Sequence, residues 1–149
     1  MTENPDAVAS TWQIRPATVA DVPQIMTIRF AVTENRLSDP NKVTAQMCCD
    51  YLDALGRGWV CEEAGSIIGF SYAAKDGSIW ALFVLPEHEG RGVGSQLLGA
   101  AVDWLFAEGH REIRLSTGVN TRAERFYAAQ GWQRGEHKDG GEVVFRLRR

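Results

Sequence analysis

Three strand-length apolar runs stand nearly back to back between residues 58 and 85: "GWVCEE", "SIIGFSYAA" and "SIWALFVL". Only Ala64-Gly65 and Lys75-Asp76-Gly77 separate them. Linkers that short join antiparallel neighbours, because a parallel pair needs a crossover of a dozen or more residues. The segment predicts a three-stranded meander with a hairpin turn at Ala64-Gly65.

Helical spacing flanks this meander. Upstream, "TWQIRPAT" reads as a short strand ending at Pro16. A helix starts near Thr18 or Asp21, which resemble a capping box, with Pro23 in its first turn and Val22, Ile25, Met26 and Ile28 as its apolar stripe. "RLSDPNK" (36–42) is turn chemistry, and Thr44 to Leu55 reads as a second helix ended by Gly56. Downstream, Leu97, Leu98, Ala101, Trp104 and Leu105 mark a long amphipathic helix closed by Gly109. "EIRLST" is a strand, "TRAERFYAAQ" a short helix stopped by Gly131, and "EVVFRL" a last strand, with room for one more at Trp132–Arg134. The order β-α-α-β-β-β-α-β-α-β describes a mixed α/β (α+β) sheet. With 149 residues it suits one domain, residues 11–149, behind a loose polar tail at 1–10.

Charge and cysteine content narrow the function. A net charge of −3 gives no electrostatic case for nucleic acid or an anionic membrane. Cys48, Cys49 and Cys61 form neither a disulfide framework nor a zinc pattern, which suits reduced thiols in a cytoplasm. The polar start "MTENPDAVAS" has no apolar signal core, and no apolar run approaches membrane-spanning length. His88, His110 and His137 lack ligand spacing, so no metal is expected.

The junction between the third strand and the long helix, "PEHEGRGVGSQLL" (86–98), carries the chemistry. Strand, glycine turn and helix together make an anion site. The helix start offers unpaired N–H groups and partial positive charge, and glycines let backbone approach a ligand. Arg91 adds a full charge, so Glu89–Ser95 reads as a phosphate cradle. A nucleoside-triphosphate loop would need Gly-Lys, which is missing, and a dinucleotide fingerprint begun at Gly90 fails at Ser95. A plain tight turn into a helix is the alternative.

Here the chain resembles the GNAT N-acetyltransferases. Glu89-Gly90-Arg91-Gly92-Val93-Gly94 is similar to that family's acyl-CoA-binding motif, [QR]-x-x-G-x-[GA], with Glu89 departing from the usual Gln or Arg. "NTRAERFYAAQGW" (120–132) resembles its second signature and "QIRPATVADVPQI" its usual opening. The resemblance implies a GNAT-like fold. Its central, mostly antiparallel sheet has a parallel splay between the fourth and fifth strands, and four helices flank it. It implies acetyl-CoA as donor, with the pyrophosphate held by backbone N–H groups of Arg91 to Ser95 and Glu89 turned away. Phe83 and Val84 would offer backbone hydrogen bonds to the pantetheine arm, and Asn120 would contact it from the other wall. Tyr127 would supply a proton or hydrogen bond to the leaving thiolate. With free pKa values near ~10 for tyrosine and ~8.5 for a thiol, full transfer is uphill by ~2 kcal/mol. The alternative for Tyr127 is a core aromatic beside Phe126.

The acceptor amine must lose a proton, at a cost of ~4.6 kcal/mol at pH 7 for an ordinary alkylamine, so a general base is expected. The family often carries a carboxylate early in the fourth strand, but Ser78–Leu82 has none. Glu34 is the candidate instead, in "FAVTENRLSDP", where the family forms its acceptor pocket. Arg29, Asn35, Arg36 and Asp39 crowd the same segment, and Trp80 could reach the acceptor side. Arg29 and Arg36 could recognise an acceptor carboxylate. The alternative for each is a solvated charged loop. The expected activity is acetyl transfer to a primary amine of a small molecule or peptide. Its rivals are transfer of a longer acyl chain, a catalytically idle acyl-CoA-binding regulator, and a nucleotide-binding module. The family often forms homodimers, but no sequence feature here requires one.

Overall fold

The computed structural model describes residues 12–31, 55–119, 121–138 and 140–149. Within it run β1 (Gln13–Pro16), α1 (Val22–Ala31), β2 (Gly56–Glu63), β3 (Ser66–Ala74) and β4 (Ile79–Val84). After them come α2 (Val93–Ala107), β5 (Glu112–Gly118), α3 (Arg122–Ala129), β6 (Gln133–Lys138) and β7 (Glu142–Arg148). The expected extra strand near Trp132 is β6. Short 3-10 turns at Val19–Asp21 and Pro86–His88 lead into α1 and the glycine segment. The Thr18–Asp21 pairing holds the first: the Thr18 N–H donates to Asp21 Oδ2 at 2.7 Å. The helix expected at 44–55 lies outside the described residues, save Leu55. Gly56, expected as its stop, opens β2 instead.

Among the described residues the strands pair antiparallel in two groups, ordered β1-β2-β3-β4 and β5-β7-β6. Among the described residues a single parallel bridge, Ser78↔Arg114, pairs β4 with β5. There the Arg114 N–H donates to the Gly77 carbonyl at 3.1 Å. The hairpin turn at Ala64-Gly65 has positive φ at both residues, 53° and 82°, which matches the right-handed twist of its strands. In β4, Ala81 opposes Tyr72 and Ile79 opposes Ala73, so Trp80 is an extra, bulged residue.

The first sheet is covered on both faces. Val22, Ile25 and Ile28 of α1 pack on Val60, Phe70, Tyr72 and Phe83. On the other face, Val93, Leu97, Leu98, Ala101 and Leu105 of α2 pack with Trp59, Cys61 and Ile68, continuing to Ile113 and Phe145 of the second sheet. Each such aliphatic side chain contributes roughly 1.5–3 kcal/mol when fully buried. β3 alternates small and large because its two faces meet different helices. Gly69 and Ser71 turn to α2: a Cβ on Gly69 would stand 3.0 Å from Leu97 Cδ1, and the Ser71 hydroxyl donates to the Leu97 carbonyl at 3.0 Å. Phe70 and Tyr72 turn to α1.

Candidate functional site

β4 is the third strand of the meander, and after it the chain turns through Gly90 and Gly92 into α2. Gly90 and Gly92 have φ of +81° and +85°, a region L side chains rarely adopt. Nothing lies within 4 Å of a Cβ built at either position, so conformation rather than crowding selects glycine there. Gly92 is the N-cap of α2, no side chain caps it, and the first turn holds no acid. The N–H groups of Val93, Gly94 and Ser95 therefore start a fifteen-residue helix with its positive dipole end uncovered by any capping side chain. Gly94 serves a different need. Its Cβ position lies 3.7 Å from both Phe126 Cζ and Val84 Cγ2, so α2, α3 and the end of β4 converge on it.

The edge of β4 adds a second feature. Leu85 donates its N–H to the Ile68 carbonyl of β3 at 2.9 Å, and Val84 opposes Gly69. By antiparallel alternation, the N–H and carbonyl of Val84 and Leu82 face away from β3. Phe83 faces the other way: its carbonyl lies 2.9 Å from the Cβ position of Gly69. Of the two residues expected to offer backbone groups to the arm, Val84 turns its own away from β3 and Phe83 directs its own toward β3.

Both charged side chains of the glycine turn are already paired. The Arg91 guanidinium donates to Glu63 at the end of β2, at 3.1 Å on one arm, and to His88 Nδ1 at 2.7 Å. Its charge, expected to add to the cradle, is thus met by a carboxylate. That contact also holds the Glu63 carboxyl below its usual range. Glu89, expected to point away from the cradle, forms an ion pair with Arg122 at the first turn of α3. The Ser95 hydroxyl accepts from Gln130 Nε2 at 3.1 Å, linking α2 to the end of α3.

Tyr127 sits on α3, buried against Phe126, Trp132 and Phe145 with ring centroids 5.3, 5.9 and 6.0 Å away. Burial pushes its pKa well above the usual tyrosine value, because the phenolate would be poorly solvated there. α3 is capped by Thr121, whose hydroxyl accepts from the Glu124 N–H at 3.2 Å and donates to the Gly118 carbonyl at 2.8 Å. Cys61 is fully buried beneath the site, its thiol pushed up to about 11, chiefly by burial, which leaves it inert.

The structure therefore brings Val84, Glu89 to Ser95 and the α3 residues beside Tyr127 to one place. Glu34, Asn35, Arg36, Asp39 and Asn120 lie outside the described residues. Arg29 falls in α1 and Trp80 in β4, but their side chains lie outside the described ones. Sequence reasoning missed Glu63, Gly69, Arg122 and Gln130. The small-large alternation of "GFSYA" could have revealed Gly69. Nothing local marks the other three, because each acts on a residue at least 28 positions away.

A two-sheet α/β domain with an uncapped helix start behind a glycine turn, beside a turned-out strand edge, defines an acyl-CoA N-acyltransferase-like fold. The sequence profile of the Acetyltransferase (GNAT) family matches residues 22–132, and the chain belongs to that family. An uncharacterized N-acetyltransferase of Archaeoglobus fulgidus is 40% identical over 68 residues, 45% of this chain and 46% of that protein. N-acetyltransferase family 8 member 2 of Rattus norvegicus is 26% identical over 103 residues, 62% of this chain and 46% of that protein. The matches thus span about half the length of these relatives. Among solved structures, an N-acetyltransferase of Staphylococcus aureus superposes with a TM-score of 0.77 at 18% identity, over 93% of this chain and 98% of that one. The PaiA N-acetyltransferase of Thermoplasma acidophilum, solved in complex with coenzyme A, gives 0.77 at 16% identity, over 93% and 99%. The described helices include none long and apolar enough to cross a membrane.

Proposed function

We propose that this chain transfers an acetyl group from acetyl-CoA to a primary amine of a small molecule or peptide, by direct attack of the amine on the thioester. The observation that carries this reading is the uncapped start of α2 behind two positive-φ glycines, beside the outward-facing backbone of Val84. A diphosphate matches the first and an amide-bearing arm the second. Acetyl-CoA brings both groups and an activated acyl carbon.

The chain's own residues then have distinct tasks. The N–H groups of Arg91 to Ser95 bind the diphosphate, with Gly90 and Gly92 keeping the approach clear. Val84 pairs with the arm as an added strand would, on the β4 edge that faces away from β3. Its N–H also lies where charge grows on the thioester oxygen. Phe83 shapes the same strand end, and Asn120 contacts the arm from the other wall. Tyr127 donates a hydrogen bond to the departing thiolate while its own proton stays in place, as its raised pKa favours. Glu34 takes the ammonium proton, and Arg29, Asn35 and Trp80 line the acceptor side. This reading treats residues 11–149 as one such domain, compatible with a homodimer.

Binding tests it first. Acetyl-CoA at a hundred times its Kd is expected to stabilise the folded chain by about 2.7 kcal/mol in thermal melts. Gly92→Glu places a carboxylate at the helix start and is expected to abolish that shift. Equal calorimetric binding of CoA by this variant would refute the cradle. Thiol release with a panel of amines then identifies the acceptor, and no release with any acceptor would favour an acyl-CoA-binding regulator.

A further inference from the structure

β5 turns alternate side chains to the core: Ile113, Leu115 and Thr117 are buried, while Glu112, Arg114 and Ser116 lie on the other face, exposed or half-buried. Thr117 is the exception in that row, a hydroxyl 6% exposed where valine would fill the same shape without a polar atom to satisfy. Directly opposite residues of an antiparallel pair share a face. Thr117 therefore lies beside Val143, and Leu115 beside Phe145, whose ring centroid is 6.0 Å from that of Tyr127. Just past Thr117, the Thr121 hydroxyl donates to the Gly118 carbonyl at 2.8 Å and caps α3 at the end of β5. Long helical side chains lean toward the N-terminus of their helix, so the Tyr127 phenol leans toward that same end.

Among the described residues neither hydroxyl has a hydrogen-bond partner, and burial alone accounts for the raised pKa of Tyr127. Neither is sealed among packed atoms as the Tyr72 hydroxyl is, so each opens on space that a ligand can enter. That space borders the contact where Phe126 joins Tyr127 to Gly94 and Val84. A largely buried donor left unpaired costs free energy, which a bound acceptor offsets.

We infer that Thr117 is a second hydroxyl donor to the thioester sulfur, acting beside Tyr127. This rests on the acyl-CoA reading above and adds a residue to it. As the amine bonds to the thioester carbon, the C–S bond breaks and its electron pair stays on sulfur. Thr117 and Tyr127 share that charge through hydrogen bonds and both keep their protons. Solvent protonates the sulfur as CoA leaves.

Titration of the ultraviolet absorbance of the CoA thiolate, in complex with the protein, tests this without an acceptor. Thr117→Val keeps the shape and removes the hydroxyl. It is expected to raise the pH midpoint of the bound thiol by about one unit, a tenfold loss of thiolate stabilisation. The calorimetric Kd for CoA at neutral pH is expected to change by less than about twofold, since the donor acts on the charged sulfur. The kcat for any amine that the wild type acetylates is expected to fall about tenfold. Thr117→Ser, which keeps the donor, is expected to titrate as the wild type does, and so is Ser116→Ala, on the opposite face of β5. An unshifted midpoint in Thr117→Val, or an equal shift in Thr117→Ser, would overturn the inference. So would a weakened Kd with an unshifted midpoint, which would seat the hydroxyl on an amide of the arm instead. Wild-type chain that binds no CoA would take down the acyl-CoA reading itself, and this inference with it.

Discussion

Tyr127 is where one side chain's environment decides its chemistry. Three aromatic neighbours exclude water and raise the cost of the phenolate. Proton transfer to a thiolate is then even less favourable than the ~2 kcal/mol set by free groups. Hydrogen bonding costs no ionisation, so the expected loss in Tyr127→Phe is in kcat, with CoA affinity nearly unchanged. A wild-type kcat in that variant would leave Tyr127 as a core aromatic only. The pH–rate profile of the wild type is expected to show no tyrosine limb below about pH 10, the ordinary value from which burial shifts it upward. Glu34→Gln is expected to depress kcat most at low pH, where neutral amine is scarce; an unchanged profile would remove Glu34 as the base.

At the scale of elements, two glycines let backbones approach. A Cβ on Gly56 would lie 2.0 Å from the Ala73 carbonyl oxygen, so β2 can lie against the end of β3 only without one. Gly69 sits under both β4 and α2, its Cβ position 2.9 Å from the Phe83 carbonyl oxygen. Gly69→Val would force Leu97, the Phe83 backbone or both to move. Overpacking of that kind costs about 1–3 kcal/mol. For a chain of this size that corresponds to several degrees in Tm. Because β4 and α2 are the elements that carry the proposed cradle, acetyl-CoA binding is expected to weaken as well. A variant with a lower Tm but unaltered CoA affinity would show that the cradle does not depend on this contact.

Across the whole molecule, charge ties β1 to the turn before α1 and to β2. The Arg15 guanidinium donates to both oxygens of Asp21 at 2.9 Å and to Glu62 on β2 at 2.8 Å. The Arg15 contacts hold the Asp21 carboxyl below its ordinary 3.8. A carboxyl depressed in the folded state adds stability that is present above its unfolded value and lost as pH falls through its folded value. The wild-type urea midpoint is therefore expected to drop below about pH 4. Asp21→Asn is expected to lose roughly 1–3 kcal/mol at pH 7, between the limits for exposed and buried pairs, and to show a shallower acid dependence. Parallel acid curves for the two would place the acid sensitivity elsewhere, for instance at Glu136, held at about 2 by Arg146.

The sequence by itself determined what is local. Turn residues and period-two runs set the β2–β3–β4 meander, apolar spacing set α2, and the glycine segment marked where that helix starts. Each depends on residues a few positions apart, whose geometry the backbone imposes. Tertiary structure decided what depends on distant neighbours. It set the antiparallel strands in two groups bridged at Ser78 and Arg114, and made Gly56 a close-packed strand residue. It also turned Phe83 inward and Val84 outward, because a bulge and a register have no local signature. And it set the charge of the glycine turn, pairing Arg91 with Glu63 and Glu89 with Arg122. Sequence reports each charge, but whether it acts on a ligand depends on which other charge the fold brings within hydrogen-bonding reach.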